Sequence, residues 1–216
     1  MPDDRHVLIA DDHPLTREGL ALAVRAAIPG ISIDTAGSIG EAEAAVANRG
    51  GYRLVLLDFV LPDARGFSGL LQLQHLLGKT PIVVVSARQD PVIVEAARAL
   101  GAAGFLFKSR PLDELAAALR GVMEGQLAFP PPSAAATDTE SARDKVATLS
   151  GAQLKVLLAL ADGRLNKQIA DDLDITEATV KAHLTAIFRK LGVHNRTQAL
   201  LAMQPLLGDS GGEATL

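Results

Sequence analysis

Five polar positions carry the chemistry open to this chain, and each ends a short apolar run. Asp11 and Asp12 follow VLIA, Asp58 follows LVLL, Ser86 follows PIVVV and Lys108 follows GFLF. In an open parallel sheet the carboxyl ends of the strands lie along one edge, where ligands bind. If these runs are strands of one sheet, that edge gathers three carboxylates, a hydroxyl and an ammonium. Carboxylates that close repel one another unless a cation lies among them. A hard divalent metal beside an anion-handling Ser and Lys is the equipment of phosphoryl transfer. Asp58 is the expected nucleophile, since it alone follows the central run LVLLD. Asp11 and Asp12 are expected to hold Mg²⁺, with the backbone carbonyl of Val60 as a further protein ligand. Magnesium keeps several waters, so few protein ligands suffice. Ser86 and Lys108 are expected to donate to two of the phosphoryl oxygens. Taken singly, each residue reads as an ordinary turn, helix cap or solvated side chain. The joint order DD, D, S, K, each on a different strand end, points to one site.

The elements that must position these groups alternate along the first 125 residues. Strand-like runs at 6–10, 31–36, 54–57, 82–85 and 104–107 are interleaved with helical patterns at 14–27, 39–48, 66–77, 91–100 and 111–124. Residues 31–36 alternate apolar and polar, which predicts a half-exposed edge strand. Residues 82–85, IVVV, are uniformly β-branched, which predicts a central one. Five successive βα units predict an α/β fold with a doubly wound, five-stranded parallel sheet. A composition break follows: AFPPPSAAATDT, from Ala128, predicts an extended linker. From Leu149 the pattern is all helix. Ser150 and Gln153 form an S-x-x-Q capping box. Asn166 and Thr176 are expected caps of two further helices, and residues 196–203 of a last short one. The expected divisions are 1–125, a linker over 126–148, a small all-α helix-turn-helix domain over 149–205 and a flexible tail over 206–216.

Composition narrows the classes. The chain has 216 residues, 48% hydrophobic and 21% charged, which suits a packed globular protein. It contains no cysteine, which excludes disulfides and thiolate metal sites and suits a reducing cytoplasm. No apolar run reaches the ~18 residues of a membrane span. Aromatic residues are 3%, against a base-stacking platform. The net charge of −4 is unevenly divided: residues 1–125 hold 12 Lys/Arg against 15 Asp/Glu, residues 149–204 hold 7 against 5.

The second candidate site lies in TEATVKAHLTAIFRKLGV. A recognition helix presents donors from its N-terminal half to base edges in the major groove. The apolar stripe is Val180, Leu184, Ile187 and Leu191, and the opposite face carries Lys181, Thr185 and Arg189. Lys181, Ala182 and Thr185 are expected at bases, with Thr179, Lys190 and Arg196 at phosphates. The plain alternative is a solvated face on an ordinary helix.

Two stretches resemble known families. VLIADDHPLTREGL, LVLLDFVLPDARGF, VVVSA and GAAGFLFKS resemble the receiver domain of two-component response regulators, over residues 5–124. The string from LSGAQLKVLL to HNRTQALL resembles the LuxR-type DNA-binding domain, and the two together are similar to response regulators of the NarL/FixJ type. The resemblance implies a flavodoxin-like receiver with Asp58 as phosphoacceptor, Asp11 and Asp12 as the acidic metal pair, Ser86 as switch hydroxyl, Lys108 as the family's lysine and Phe105 as switch aromatic. It further implies a sensor histidine kinase as donor, double-stranded DNA as target, a homodimer when active, and a cytoplasmic regulator rather than an enzyme. Gln153 stands where that family usually has Glu, and Asp171 and Asp172 precede the turn. Two other readings stay open from the residues: a phospho-regulated protein-interaction module, and an Asp-nucleophile phosphohydrolase. The latter wants an acid two residues after the nucleophile, where this chain has Val60. A flavin-binding protein fits poorly, because no Gly/Ser/Thr-rich phosphate loop follows the first strand.

Overall fold

A computed structural model of the chain describes residues 6–64, 66–131, 145, 148–161 and 163–202. Most of the expected linker, and all of the expected tail, lie outside the described residues. Strands β1 (His6–Ala10), β2 (Ser32–Ala36), β3 (Leu54–Asp58), β4 (Ile82–Ser86) and β5 (Gly104–Phe107) form one parallel sheet in the order β2-β1-β3-β4-β5. Every residue of β3 and β4 is buried, which is why those strands are unbroken apolar runs rather than alternating ones. β2 is the exposed edge that its alternating sequence predicts.

Five helices follow the strands: α1 (Pro14–Ala27), α2 (Ile39–Arg49), α3 (Ser68–Leu77), α4 (Pro91–Ala99) and α5 (Leu112–Met123). Alternate strand residues Val7, Ile9, Leu54, Leu56, Val83 and Val85 join Leu20 and Val24 of α1 and Leu115 and Leu119 of α5 in one core. Helices α2 and α3 contact β1, β2 and β4. The chain divides into two compact units: residues 1–89 with 102–131, and residues 90–101 with 132–216, so α4 falls in the second.

The free edge of β5 is covered by the chain that follows α5. Ala128 pairs in parallel with Gly104, its N–H donating to the Ala103 carbonyl (3.0 Å) while its own carbonyl accepts from the Phe105 N–H (2.8 Å). An uncovered strand edge exposes unpaired backbone groups. The approach needs glycine at 104, because a Cβ there would lie 2.6 Å from the Ala128 oxygen. Ala128, expected to lie in the linker, thus pairs with the sheet.

In the second unit α6 (Gly151–Ala161), α7 (Asn166–Asp172), α8 (Glu177–Leu191) and α9 (Arg196–Ala202) follow one another. The Ser150–Gln153 capping box is present, each side chain accepting from the other residue's N–H (3.2 and 3.1 Å). Thr176 caps α8 as expected, its hydroxyl accepting from the Thr179 N–H at 3.1 Å. Asn166 does not cap α7; it is the first helical residue. Leu165 occupies the cap position, and its N–H donates to Gln168 Oε1 at 2.8 Å. Val180, Ile187 and Leu191 bury the stripe of α8 in full, with Leu184 half-buried. The helix stops at Gly192, whose φ of 69° only glycine adopts without cost.

Candidate functional site

Strand register brings the acidic groups level. Ala10 pairs with Leu57, so Asp11 stands beside Asp58. Asp58 pairs with Val85, and Ser86 with Phe107, so Lys108 follows one step beyond. The order β2-β1-β3-β4-β5 reverses direction between β1 and β3, and the crevice at such a switch point lies outside the carboxyl ends of the strands.

Asp11 is fully buried and Asp58 nearly so, while Asp12 is exposed. Lys108 Nζ lies 2.5 Å from Asp58 Oδ2 and 2.8 Å from Asp11 Oδ2. The Val60 N–H donates to Asp58 Oδ1 at 3.2 Å. Burial raises the Asp58 carboxyl above its ordinary value, with the Asp11 charge adding and Lys108 only partly opposing it. Burial pulls the Lys108 ammonium down, but its bonds to Asp11 and Asp58 outweigh that and leave it raised. The causes differ: burial dominates at Asp58, whereas the two carboxylates prevail over burial at Lys108.

Asp11, Asp12, His13 and Asp58 each bring one ligand atom within 4.8 Å of the others. A donor set dominated by carboxylate oxygens, with uncompensated negative charge, fits a hard divalent cation. Sequence reasoning missed His13, whose signal was adjacency to the Asp pair. Its N–H donates to Asp11 Oδ1 (2.8 Å), and its Nδ1 lies 2.6 Å from Asp12 Oδ1. Sequence reasoning also missed Arg17, which donates to the Asp11 carbonyl at 2.6 Å, and Asp63, which accepts from the Ile39 and Gly40 N–H groups at the start of α2.

Ser86 is buried, and its Oγ accepts from the Arg88 N–H at 3.0 Å, which leaves the hydroxyl proton for another acceptor. Phe105 is 1% exposed and meets Phe107 edge-on at 5.8 Å. Val60 turns an apolar side chain, 56% exposed, outward beside the pocket.

On α8, Lys181, Ala182, Thr185 and Arg189 are exposed along one face. Thr179 is half-buried, with Oγ1 2.8 Å from Thr176 Oγ1. Two of the cations expected at phosphates have partners within their own domain. Lys190 is engaged inside its own domain: Nζ donates to the Thr148 carbonyl (2.6 Å) and to Gln153 Oε1 (2.8 Å). Arg196 likewise donates to the Leu160 carbonyl near the end of α6 and to the Arg164 carbonyl beyond it (2.9 and 3.1 Å). Asp172 forms an ion pair with Arg164, so its carboxylate is neutralised within the fold.

Residues 7–120 match the family model described as the response regulator receiver domain, and residues 147–203 the one for bacterial regulatory proteins of the luxR family. A glycerol metabolism activator of Pseudomonas putida is 36% identical over 206 residues, covering 91% of this chain and 93% of the relative. The nitrate/nitrite response regulator protein NarL of Escherichia coli K12 is 31% identical over 201 residues, covering 89% and 92%. In fold, the chain is similar to RcsB from Salmonella enterica serovar Typhimurium solved on the promoter rprA with phosphomimetic BeF3⁻ (TM-score 0.57, 22% identity, 93% of this chain and 98% of that one).

Proposed function

Because the chain belongs to the response regulators that join a receiver domain to a LuxR-type DNA-binding domain, we propose that Asp58 accepts a phosphoryl group from a sensor histidine kinase and so controls DNA binding by α8. The observation that carries this is the pair of short contacts from Lys108 to Asp58 and Asp11, at the carboxyl ends of β1, β3 and β5. The receiver is taken as residues 1–125, the linker as 126–148, the DNA-binding domain as 149–205 and the tail as 206–216. The setting is cytoplasmic; among the described residues no helix is long and apolar enough to cross a membrane.

One carboxylate oxygen of Asp58 attacks the phosphorus of the donor phosphohistidine in line. The P–N bond breaks, and the departing imidazole keeps that electron pair and takes up a proton. Asp11, Asp12, Asp58 and the Val60 carbonyl would hold Mg²⁺, which supplies charge neutralisation at the phosphoryl oxygens. Lys108 exchanges its contact with Asp58 for one phosphoryl oxygen, and the Ser86 hydroxyl donates to another. The added charge draws Ser86 inward and is read out through the ring of Phe105, on the neighbouring strand β5. Lys181, Ala182 and Thr185 then meet base edges as a dimer engages two half-sites. Arg189 is the outward cation further along α8, and Thr179 meets backbone at the helix start. Helix α9, with Leu201 exposed, supplies the dimer contact.

Incubation with Mg²⁺ and a small-molecule phosphodonor, followed by intact mass, tests the acceptor. One phosphoryl adduct is expected on the wild type and none on Asp58→Asn; a full adduct on the variant overturns the assignment. For the output domain, Lys181→Ala should cost ~1–3 kcal/mol of specific binding and relax preference at one base position.

A further inference from the structure

The acidic pocket contains one donor that a magnesium site does not need. His13 follows the Asp pair directly, and one edge of its ring is turned toward the carboxylates. The turn is set by the His13 N–H, which donates to Asp11 Oδ1 at 2.8 Å. From that turn the largely exposed ring places Nδ1 2.6 Å from Asp12 Oδ1 and 3.6 Å from Asp11 Oδ1. The ligand atoms of Asp11, Asp12, His13 and Asp58 all lie within 4.8 Å of one another. Two ligands of one ion with bonds of about 2.1 Å lie roughly 3 to 4 Å apart, so small shifts suffice to bring all four onto one ion. The ring is 68% exposed and makes no side-chain cap on α1, so neither helix capping nor core packing accounts for its position.

We infer that His13 is a nitrogen ligand of the receiver's metal and makes this site prefer first-row transition cations over Mg²⁺. The inference rests on the reading of the acidic pocket as the metal site of phosphoryl transfer. Magnesium favours oxygen ligands and gains little from an imidazole, whereas Mn²⁺, Co²⁺ and Zn²⁺ accept imidazole readily, and affinity rises from Mn²⁺ to Co²⁺ at mixed nitrogen and oxygen sites. Asp12, which shares its Oδ1 with the ring, is the carboxylate that turns from His13 to the ion when the ion binds. Occupancy by Co²⁺ or Mn²⁺ would then let the regulator charge with phosphate at metal concentrations where Mg²⁺ leaves the site unfilled.

The test uses the full-length chain, with Co²⁺ and Mg²⁺ as probes. Co²⁺ binding is followed by its visible absorption, and Mg²⁺ binding by its competition for the same Co²⁺ signal. In the wild type Mg²⁺ should displace Co²⁺ fully, which places both ions in one pocket. His13→Ala should weaken Co²⁺ by about tenfold or more, equivalent to about 1.4 kcal/mol, and change Mg²⁺ by less than about threefold. His13→Asp, which offers oxygen in place of nitrogen, should keep or strengthen Mg²⁺ competition while the Co²⁺ absorption loses its nitrogen character. Equal weakening of both ions, or tighter binding of both in His13→Ala, overturns the inference, since the ring then acts only on Asp12. Asp12→Asn separates the two levels. If it leaves both ions bound as in the wild type, the pocket is not the metal site and both readings fall. If it weakens both while His13→Ala spares the Co²⁺ preference, only the role of His13 falls.

Discussion

At the scale of single residues, the contrast between Lys181 and Lys190 decides how the output domain is read. Both are cations on α8, yet Lys181 is exposed, whereas Lys190 is bonded to Thr148 and Gln153. Gln153 thus answers the lysine with an amide oxygen, where the related family usually places a carboxylate. Lys190→Ala should therefore lower the melting temperature of the C-terminal domain, by about 1 kcal/mol of stability. The slope of DNA affinity against salt should stay unchanged, because no phosphate contact is lost. A flattened slope with unaltered stability would restore Lys190 to the DNA face. Val60 is the second decisive residue. Its exposed apolar side chain stands beside the acceptor and has no group to orient an attacking water. Val60→Asn should speed loss of the phosphoryl group several-fold, followed by mass after the donor is removed. Unchanged decay would show that water access is governed elsewhere in the pocket.

At the scale of elements, caps and edges place the site as much as the strands do. Helix α2 begins with Ser38, whose hydroxyl accepts from the Glu41 N–H, and with Asp63 reaching across to the Ile39 and Gly40 N–H groups at 2.9 Å each. Burial alone would raise the Asp63 carboxyl, but the two N–H donors prevail and hold it below the ordinary carboxylate value. A carboxylate depressed in the folded state stabilises fully above its unfolded pKa, and that contribution disappears as pH falls through the folded value. Asp63→Ala should therefore lower the melting temperature at neutral pH, by about 1 kcal/mol or less for so exposed a cap. The difference from the wild type should shrink as pH falls below the ordinary carboxylate value and vanish once Asp63 is protonated in the folded protein. A difference that persists in acid would mean the side chain acts by packing and not by charge.

At the scale of the whole molecule, the proposal ties two chemistries together through one covalent event. Full-length protein charged with phosphate should bind a selected duplex more tightly than the uncharged protein, with the gain absent in Asp58→Asn. Gel shifts at fixed salt measure this directly. Equal binding in both states would mean that the receiver does not govern the output domain. Failure of either state to bind any duplex from a random pool at low salt would turn the reading toward a protein partner for α8.

Much of this protein was legible before any coordinates, because its signals are local or periodic. The runs VLIA, LVLL, IVVV and GFLF announce strands buried on both faces, and the residue that ends each run must reach the same sheet edge once the strands are parallel. The capping residues Ser150 and Thr176 and the stop at Gly192 likewise act within a turn of where they stand in the chain. Long-range partners were not legible. That Lys190 answers Gln153, that Arg196 closes the end of α6, that Asp63 caps α2 and that Ala128 covers β5 depend on contacts across 23 to 37 residues. A cation on a helix reads the same in sequence whether it faces solvent or a carbonyl. Only packing, which decides which face of each helix is turned inward, tells the two apart.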